Sequence, residues 1–191
     1  MGAFDNVDEI PRRVMTLFFV VDTSGSMSGE KIASLNVAAR EGIPFISDLS
    51  AGNADAQIKI AVLEFSSGTE WMYPQPMDAE NFQWRDLEAG GLTSLGEACK
   101  ELDSKLSRTK GFMAEATGSF APAIILMSDG EPTDNYKHYL DKLKENNWFK
   151  AAIKVAIAIG EESNNNILAQ AGQSMLAQAN QSTQGVLSLL R

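Results

Sequence analysis

Thr16-Leu17-Phe18-Phe19-Val20-Val21-Asp22-Thr23-Ser24-Gly25-Ser26-Met27 decides the fold. Its first half is a near-continuous apolar run of β-branched and aromatic residues. Such a run, bounded by turn signals, reads as a strand buried on both faces of a parallel sheet. It stops at an aspartate followed by two serines with a glycine between them. A carboxylate and two hydroxyls therefore stand at the carboxyl end of a central strand, where open α/β sheets place their ligand sites. Hard oxygen donors in a tight turn suit a hard divalent cation, above all magnesium.

Two other stretches continue the pattern. Gly90-Gly91-Leu92-Thr93 opens a helical periodicity, and Ile124-Ile125-Leu126-Met127-Ser128-Asp129-Gly130 is a second buried strand ending in aspartate. Taken singly, each piece has a plain alternative. Asp22 is then a turn residue, Ser24 and Ser26 are local caps, and Thr93 is an N-cap. Taken together and in this order, Asp22-x-Ser24-x-Ser26, Thr93 and Asp129 resemble the metal-ion-dependent adhesion site of von Willebrand factor A (VWA) domains, over roughly residues 12–160. The resemblance implies a Mg2+ (or Mn2+) ion held by Asp22, Ser24, Ser26, Thr93 and Asp129. One coordination position would be left for an Asp or Glu of a protein partner. Asp134, in Gly130-Glu131-Pro132-Thr133-Asp134, is placed at the rim or in the shell behind the ligands, or else is a free surface acid.

Around these loops the chain alternates strand and helix. Gly29 and Glu30 open a helix with Ile32, Leu35, Ala39 and Ile43 at helical spacing, which Pro44 should kink or end. Residues 58–65 form a second strand, and Ser66-Ser67-Gly68 turns it into a short antiparallel strand closed by Pro74. Residues 74–92 are an irregular connection. Leu95, Ala98, Cys99, Leu102 and Leu106 form the stripe of the next helix, and residues 107–121 read as a polar, exposed connection. A strand at 123–127, a helix around Tyr136–Leu143 and a strand at 151–159 follow. The fold class is α/β: a doubly wound, mostly parallel, Rossmann-like sheet with one antiparallel edge strand and helices on both faces. The domains expected are an N-terminal arm at 1–12, a VWA domain at 13–162 truncated after its fifth parallel-type strand, and a helical tail at 163–191.

Composition narrows the partners. The chain is 44% apolar, with a net charge of −9 and a pI of about 4.6, which speaks against nucleic acid and anionic membrane. A single cysteine, Cys99, permits no intramolecular disulfide and suits a reducing compartment. The acidic N-terminus does not read as a secretory signal, and a cytoplasmic location is expected. Enzyme motifs are missing. Ser24-Gly25-Ser26 is not a hydrolase elbow, and Gly25-x-x-x-Gly29-Glu30-Lys31 is one residue short of a P-loop. The lone histidine, His138, reads as a surface residue.

In finer detail, Glu9-Ile10-Pro11-Arg12-Arg13 before the first strand, Gly90-Gly91-Leu92-Thr93-Ser94-Leu95-Gly96-Glu97-Ala98, and Ser128 to Asp134 resemble the bacterial cytoplasmic VWA proteins associated with tellurite resistance. That resemblance implies an adaptor in a stress-response or metal-resistance system. It stops near Gly160. Residues 167–191, ILAQAGQSMLAQANQSTQGVLSLLR, instead resemble the C-terminal end of bacterial flagellin, a filament-core helix that innate-immune sensors of flagellin bind. The rest of flagellin is absent, so filament assembly is not expected. The chain reads as a truncated VWA domain joined to a flagellin-type tail, by gene fusion or engineering. The plainer alternative is a divergent amphipathic last helix that covers the sheet. Truncation leaves an edge strand with unpaired backbone groups, so self-association through that edge or the tail is expected.

Overall fold

The computed structural model describes residues 12–115, 118–130 and 132–160. The tail at 163–191 and all but the last residue of the N-terminal arm lie outside them. Arg12 is described: its guanidinium donates to the backbone carbonyls of Ser50 (2.8 Å) and Asn53 (3.1 Å).

In chain order the strands are β1 (Arg13–Asp22), β2 (Ala56–Phe65), β3 (Thr69–Trp71), β4 (Met77–Asp78), β5 (Ala123–Ser128) and β6 (Ile153–Ala158). The helices are α1 (Glu30–Ala51), α2 (Leu95–Lys105), α3 (Tyr136–Glu145) and α4 (Asn147–Ala151). The sheet runs β3-β2-β1-β5-β6, with β4 pairing β2 off this path. β1 lies at its centre, parallel to β2 and β5. β3 is antiparallel to β2 and forms the expected antiparallel edge. The short β4, also antiparallel to β2, falls within the stretch read as irregular.

Side chains alternate across a strand, so β1 feeds two cores. Phe18 and Val20 join a cluster with Leu63, Leu95, Leu102, Leu126, Leu143 and Phe149, beneath α2, α3 and α4. Phe19 and Val21 face the other way, with Met27, Leu35, Ile43 and Val62 beneath α1. Both faces of β1 are thus dry, which is why its sequence lacks the polar alternation of a half-exposed strand.

Two expectations need correction. Of the two outcomes expected at Pro44, a kink or an end, the end does not occur: α1 runs on to Ala51 with the proline inside. Pro44 and Arg40 are both exposed, so the helical hydrogen bond that the proline forfeits lies on an accessible stretch of α1, where water can replace it. Nor is the 107–121 connection simply exposed. Phe112 is 6% and Met113 2% accessible, and the Phe112 ring lies 6.3 Å from Phe18 and 5.0 Å from Trp71. Gly111 makes this possible, because a Cβ there would fall 2.1 Å from the Lys105 carbonyl oxygen.

Cys99 lies in the core, its thiol pushed up to about 12, first by burial and then by the Asp134 carboxylate. That is the packing role its place on the α2 stripe suggested. His138 is exposed on α3, edge-on to Tyr139.

Candidate metal site

Three loops meet at the carboxyl end of β1. The first follows β1 directly. Asp22 is fully buried and Ser24 nearly so. The Ser24 amide donates to Asp22 Oδ1 (2.8 Å), and a 3₁₀ turn at Gly25–Met27 brings Ser26 round. The Ser24 and Ser26 hydroxyls share a hydrogen bond of 3.0 Å.

The second loop is held from both sides. The Gly90 amide donates to the Thr23 carbonyl (2.8 Å), and the Gly25 amide donates to the Gly91 carbonyl (3.0 Å). Gly91 has φ +83, and a Cβ there would lie 2.6 Å from Ser67 Oγ, so only glycine fits. The strap leading to this loop is fastened by the buried Asn36 of α1. Its Oδ1 accepts from Trp84 Nε1 (3.0 Å) and the Leu87 amide (2.9 Å), and its Nδ2 donates to the Leu87 carbonyl (3.0 Å). Thr93, 6% accessible, follows.

The third loop closes the site. Asp129, 5% accessible, accepts from the Ser26 hydroxyl at Oδ1 (2.7 Å). Ser128 donates from its hydroxyl to Asp22 Oδ2 (2.6 Å). The second and third loops are joined where the Thr133 amide donates to the Thr93 carbonyl (2.8 Å) and the Thr93 amide donates to Thr133 Oγ1 (3.1 Å).

Asp22, Ser24, Ser26 and Asp129 are therefore one hydrogen-bonded cluster, and backbone bonds hold Thr93 between the first and third loops. Asp134 stands behind them. Its Oδ2 accepts from the Gly96 amide (2.8 Å) in the first turn of α2, the helix that follows Thr93, and its Oδ1 is buried without a partner. It is not a free surface acid: its carboxylate complements the positive end of the α2 dipole. Gly96 leaves room for it, since a Cβ there would sit 2.7 Å from Asp134 Oδ2 and 3.1 Å from the Tyr136 Cα.

Several contributors were not singled out from sequence. Lys31, in the first turn of α1, places Nζ 2.5 Å from Asp129 Oδ2 and 3.2 Å from the Ser26 carbonyl. Ser128 faces Asp22 because Val21 pairs with Met127 in register; aligning the two strand endings would have found it. Asn36 carried no signal beyond a polar residue within an amphipathic helix.

The Asp22 carboxyl is pushed up from its ordinary range, chiefly by burial and further by the neighbouring Asp129 charge, against the hydrogen bonds of Ser128 and Ser24. Two nearly dry carboxylates side by side favour a cation between or beside them. Among the described residues no group of three or more His, Cys, Asp or Glu is placed to hold a metal ion. The donors here are two carboxylates and three hydroxyls, a hard, weakly charged oxygen set. That chemistry fits magnesium or manganese and is unsuited to the softer metals that prefer thiolate or imidazole.

Solved structures align over most of this chain. A von Willebrand factor type A protein from Catenulispora acidiphila does so with a TM-score of 0.60 and 17% identity, covering 86% of this chain and 37% of that one. The D319A mutant of the PilB minor pilin from Streptococcus sanguinis gives 0.58 and 14%, covering 88% and 54%. The ArnB paralog VWA2 from Sulfolobus acidocaldarius gives 0.55 and 23%, covering 82% and 38%. The chain spans less than two thirds of the length of each. The fold is VWA-like. No curated protein matches the sequence. Residues 154–190 match the family model described as the bacterial flagellin C-terminal helical region, a match that begins earlier than the resemblance from residue 167. Its first residues form β6 here, a strand rather than a helix.

Proposed function

We propose that this chain is a divalent-cation-dependent protein-binding module rather than an enzyme. The observation that carries the reading is the joining of Asp22, Ser24, Ser26 and Asp129 across two loops, with Thr93 fixed between them. A magnesium ion held by these five residues would supply an electrophilic centre for a carboxylate of the partner. The residues contribute in different ways. Asp22 and Asp129 bring the charge; the three hydroxyls add oxygen donors without further neutralising the ion, which preserves its attraction for an incoming Asp or Glu. The single histidine lies on α3 against Tyr139 and supports no acid–base role. The setting we infer is a cytoplasmic adaptor in a metal- or tellurite-stress system. The sequence resemblance supports it, and the negative charge argues against nucleic acid or membrane as partner.

The test is capture of partners from bacterial lysate by the immobilised full chain, in magnesium and in EDTA, with Asp129→Ala in parallel. The expected result is a set of partners present only for the natural chain in magnesium. Partners retained in EDTA and by Asp129→Ala would overturn the reading. They would favour a second one, in which residues 163–191 bind and the α/β unit is a carrier. The flagellin-type match supports that reading, and deletion of 163–191 would then remove the binding.

Lys31 yields a further prediction. Its ammonium already sits on the Asp129 carboxylate that the ion would need, so it competes with the metal. Lys31→Met is expected to lower stability in EDTA by about 1–2 kcal/mol. This is below the ~3–5 kcal/mol of a fully buried broken pair, because the lysine side chain is 33% accessible. It should also enlarge the stabilisation gained from magnesium. Thermal melts with and without the ion measure both, and an unchanged magnesium gain would show that Lys31 does not compete.

A further inference from the structure

Among the described residues, α1 packs over β1 and β2, and none covers the same face of β5 and β6 fully. The result is an apolar groove of about 520 Å³ with Ala38 and Gly42 on one wall, Ile125 and Met127 on its floor and Ile157 on the other wall. Along β6, Ile153, Val155 and Ile157 share one face and are 59%, 43% and 42% accessible. Alternate residues of a strand this apolar are normally covered. The helix wall continues the pattern. Ala38, Gly42, Phe45 and Leu49 recur at spacings of four, three and four, which is one stripe of α1. Phe45 and Leu49 are 70% and 66% accessible, and nothing lies within 4 Å of where a Gly42 Cβ would point.

The chain supplies an occupant. It leaves the sheet at Gly160, which lines this groove beside Lys31 in the first turn of α1. Residues 161–166, Glu-Glu-Ser-Asn-Asn-Asn, can span up to about 20 Å. Beyond them, Ile167, Leu168, Ala171, Met175, Leu176 and Ala179 recur at helical spacing, and no charged residue occurs between Glu162 and Arg191. As a helix, residues 167–179 would extend about 18 Å, the length of α1 from Ser34 to Ile46. We propose that residues 167–179 form a helix that lies along this groove, parallel to α1, and covers Val155 and Ile157 with its Ile/Leu/Met face. The small residues Ala38 and Gly42 allow the two helices to approach closely. The tail then closes the α/β unit instead of serving as a free appendage.

The test uses the full chain with Cys99→Ala and a nitroxide label at Glu41→Cys, an exposed polar position next to the stripe. Strong loss of amide signal intensity across residues 167–179 is expected, and it should vanish when Leu168→Asp and Leu176→Asp are added. A mixture of labelled unenriched chain with unlabelled 15N-enriched chain separates the occupants. Signal loss in the mixture would mean that a second copy fills the groove, and undisturbed signals in both samples would mean that the tail lies elsewhere. Either result overturns the proposal. If Leu168→Asp and Leu176→Asp prevent folding, faster hydrogen exchange of β6 amides after Met175→Ser alone gives the same decision.

Discussion

Asp22→Asn is expected to raise the melting temperature in EDTA and to lack the gain that the proposed site would draw from magnesium in the natural chain. Asp22 is fully buried, and its carboxyl is raised chiefly by that burial, with Asp129 adding to the shift. A group whose folded pKa is raised contributes stability that is fully present below its ordinary value of 3.8. That stability is lost as pH rises through the folded value. Without a cation the natural chain should therefore lose stability as pH rises above 3.8, and Asp22→Asn should lack that step. The asparagine keeps the local bonds: its carbonyl oxygen can accept from the Ser24 amide, and its amide can donate to the Ser128 hydroxyl. On the proposed metal-binding reading, magnesium is expected to reverse the sign for the natural chain. An ion at a hundred times its dissociation constant stabilises by about 2.7 kcal/mol, roughly 5–10 °C for a domain of this size. Melts across pH in EDTA and in magnesium measure both arms. The same magnesium gain in Asp22→Asn would remove Asp22 from the ligand set.

The parts of this fold legible in sequence are those where burial and geometry leave few choices. β1 is dry on both faces and β5 on its α2 side, with Ile125 and Met127 half-buried on the other, so their runs are apolar and their ends abrupt. The aspartates that end them stand out because a carboxylate after such a run has few structural uses. Gly91 was legible as part of a glycine pair before a helix, though not the Ser67 contact that demands it. What escaped was whatever depends on a partner distant in sequence. Lys31 reads as an ordinary first-turn lysine until Asp129, 98 residues on, meets it. Lys154 lies in the strand expected at 151–159, where nothing in the sequence marks it as buried. It is 2% accessible, its ammonium donating to the carbonyls of Phe149 (2.7 Å) and Ala152 (2.9 Å) at the end of α4. A long side chain with a satisfied head can cover apolar surface, and periodicity cannot distinguish that from solvent exposure. Pro44 shows the converse: a strong breaker signal was overridden because the rest of α1 packs on the sheet and the forfeited bond lies where water can replace it.

The 107–121 connection is where sequence and structure disagree most, and Phe112 puts a number on it. If that segment were an exposed loop, Phe112→Ala would change stability by less than about 0.5 kcal/mol, as surface substitutions do. In the structure the ring stacks at 11° to Phe18, lies edge-on to Trp71, and has Lys105 Nζ 5.1 Å from its centre. Phe18 is inaccessible to solvent, so truncation opens a cavity against a rigid neighbour that cannot collapse into it. The expected loss is about 3–5 kcal/mol, roughly a 10 °C fall in melting temperature. Phe112→Leu should recover most of it by refilling the volume. Gly111→Ala should approach the loss of Phe112→Ala without touching the ring, because its Cβ would collide with the Lys105 backbone and swing Phe112 out of place. Trp71 reports locally: its indole Nε1 donates to Glu101 at 2.8 Å with Phe112 against the ring, so both variants should shift its emission to the red. A Phe112→Ala chain that melts like the natural one, with unchanged tryptophan emission, would return this segment to solvent and leave the α2 side of the core without its lid.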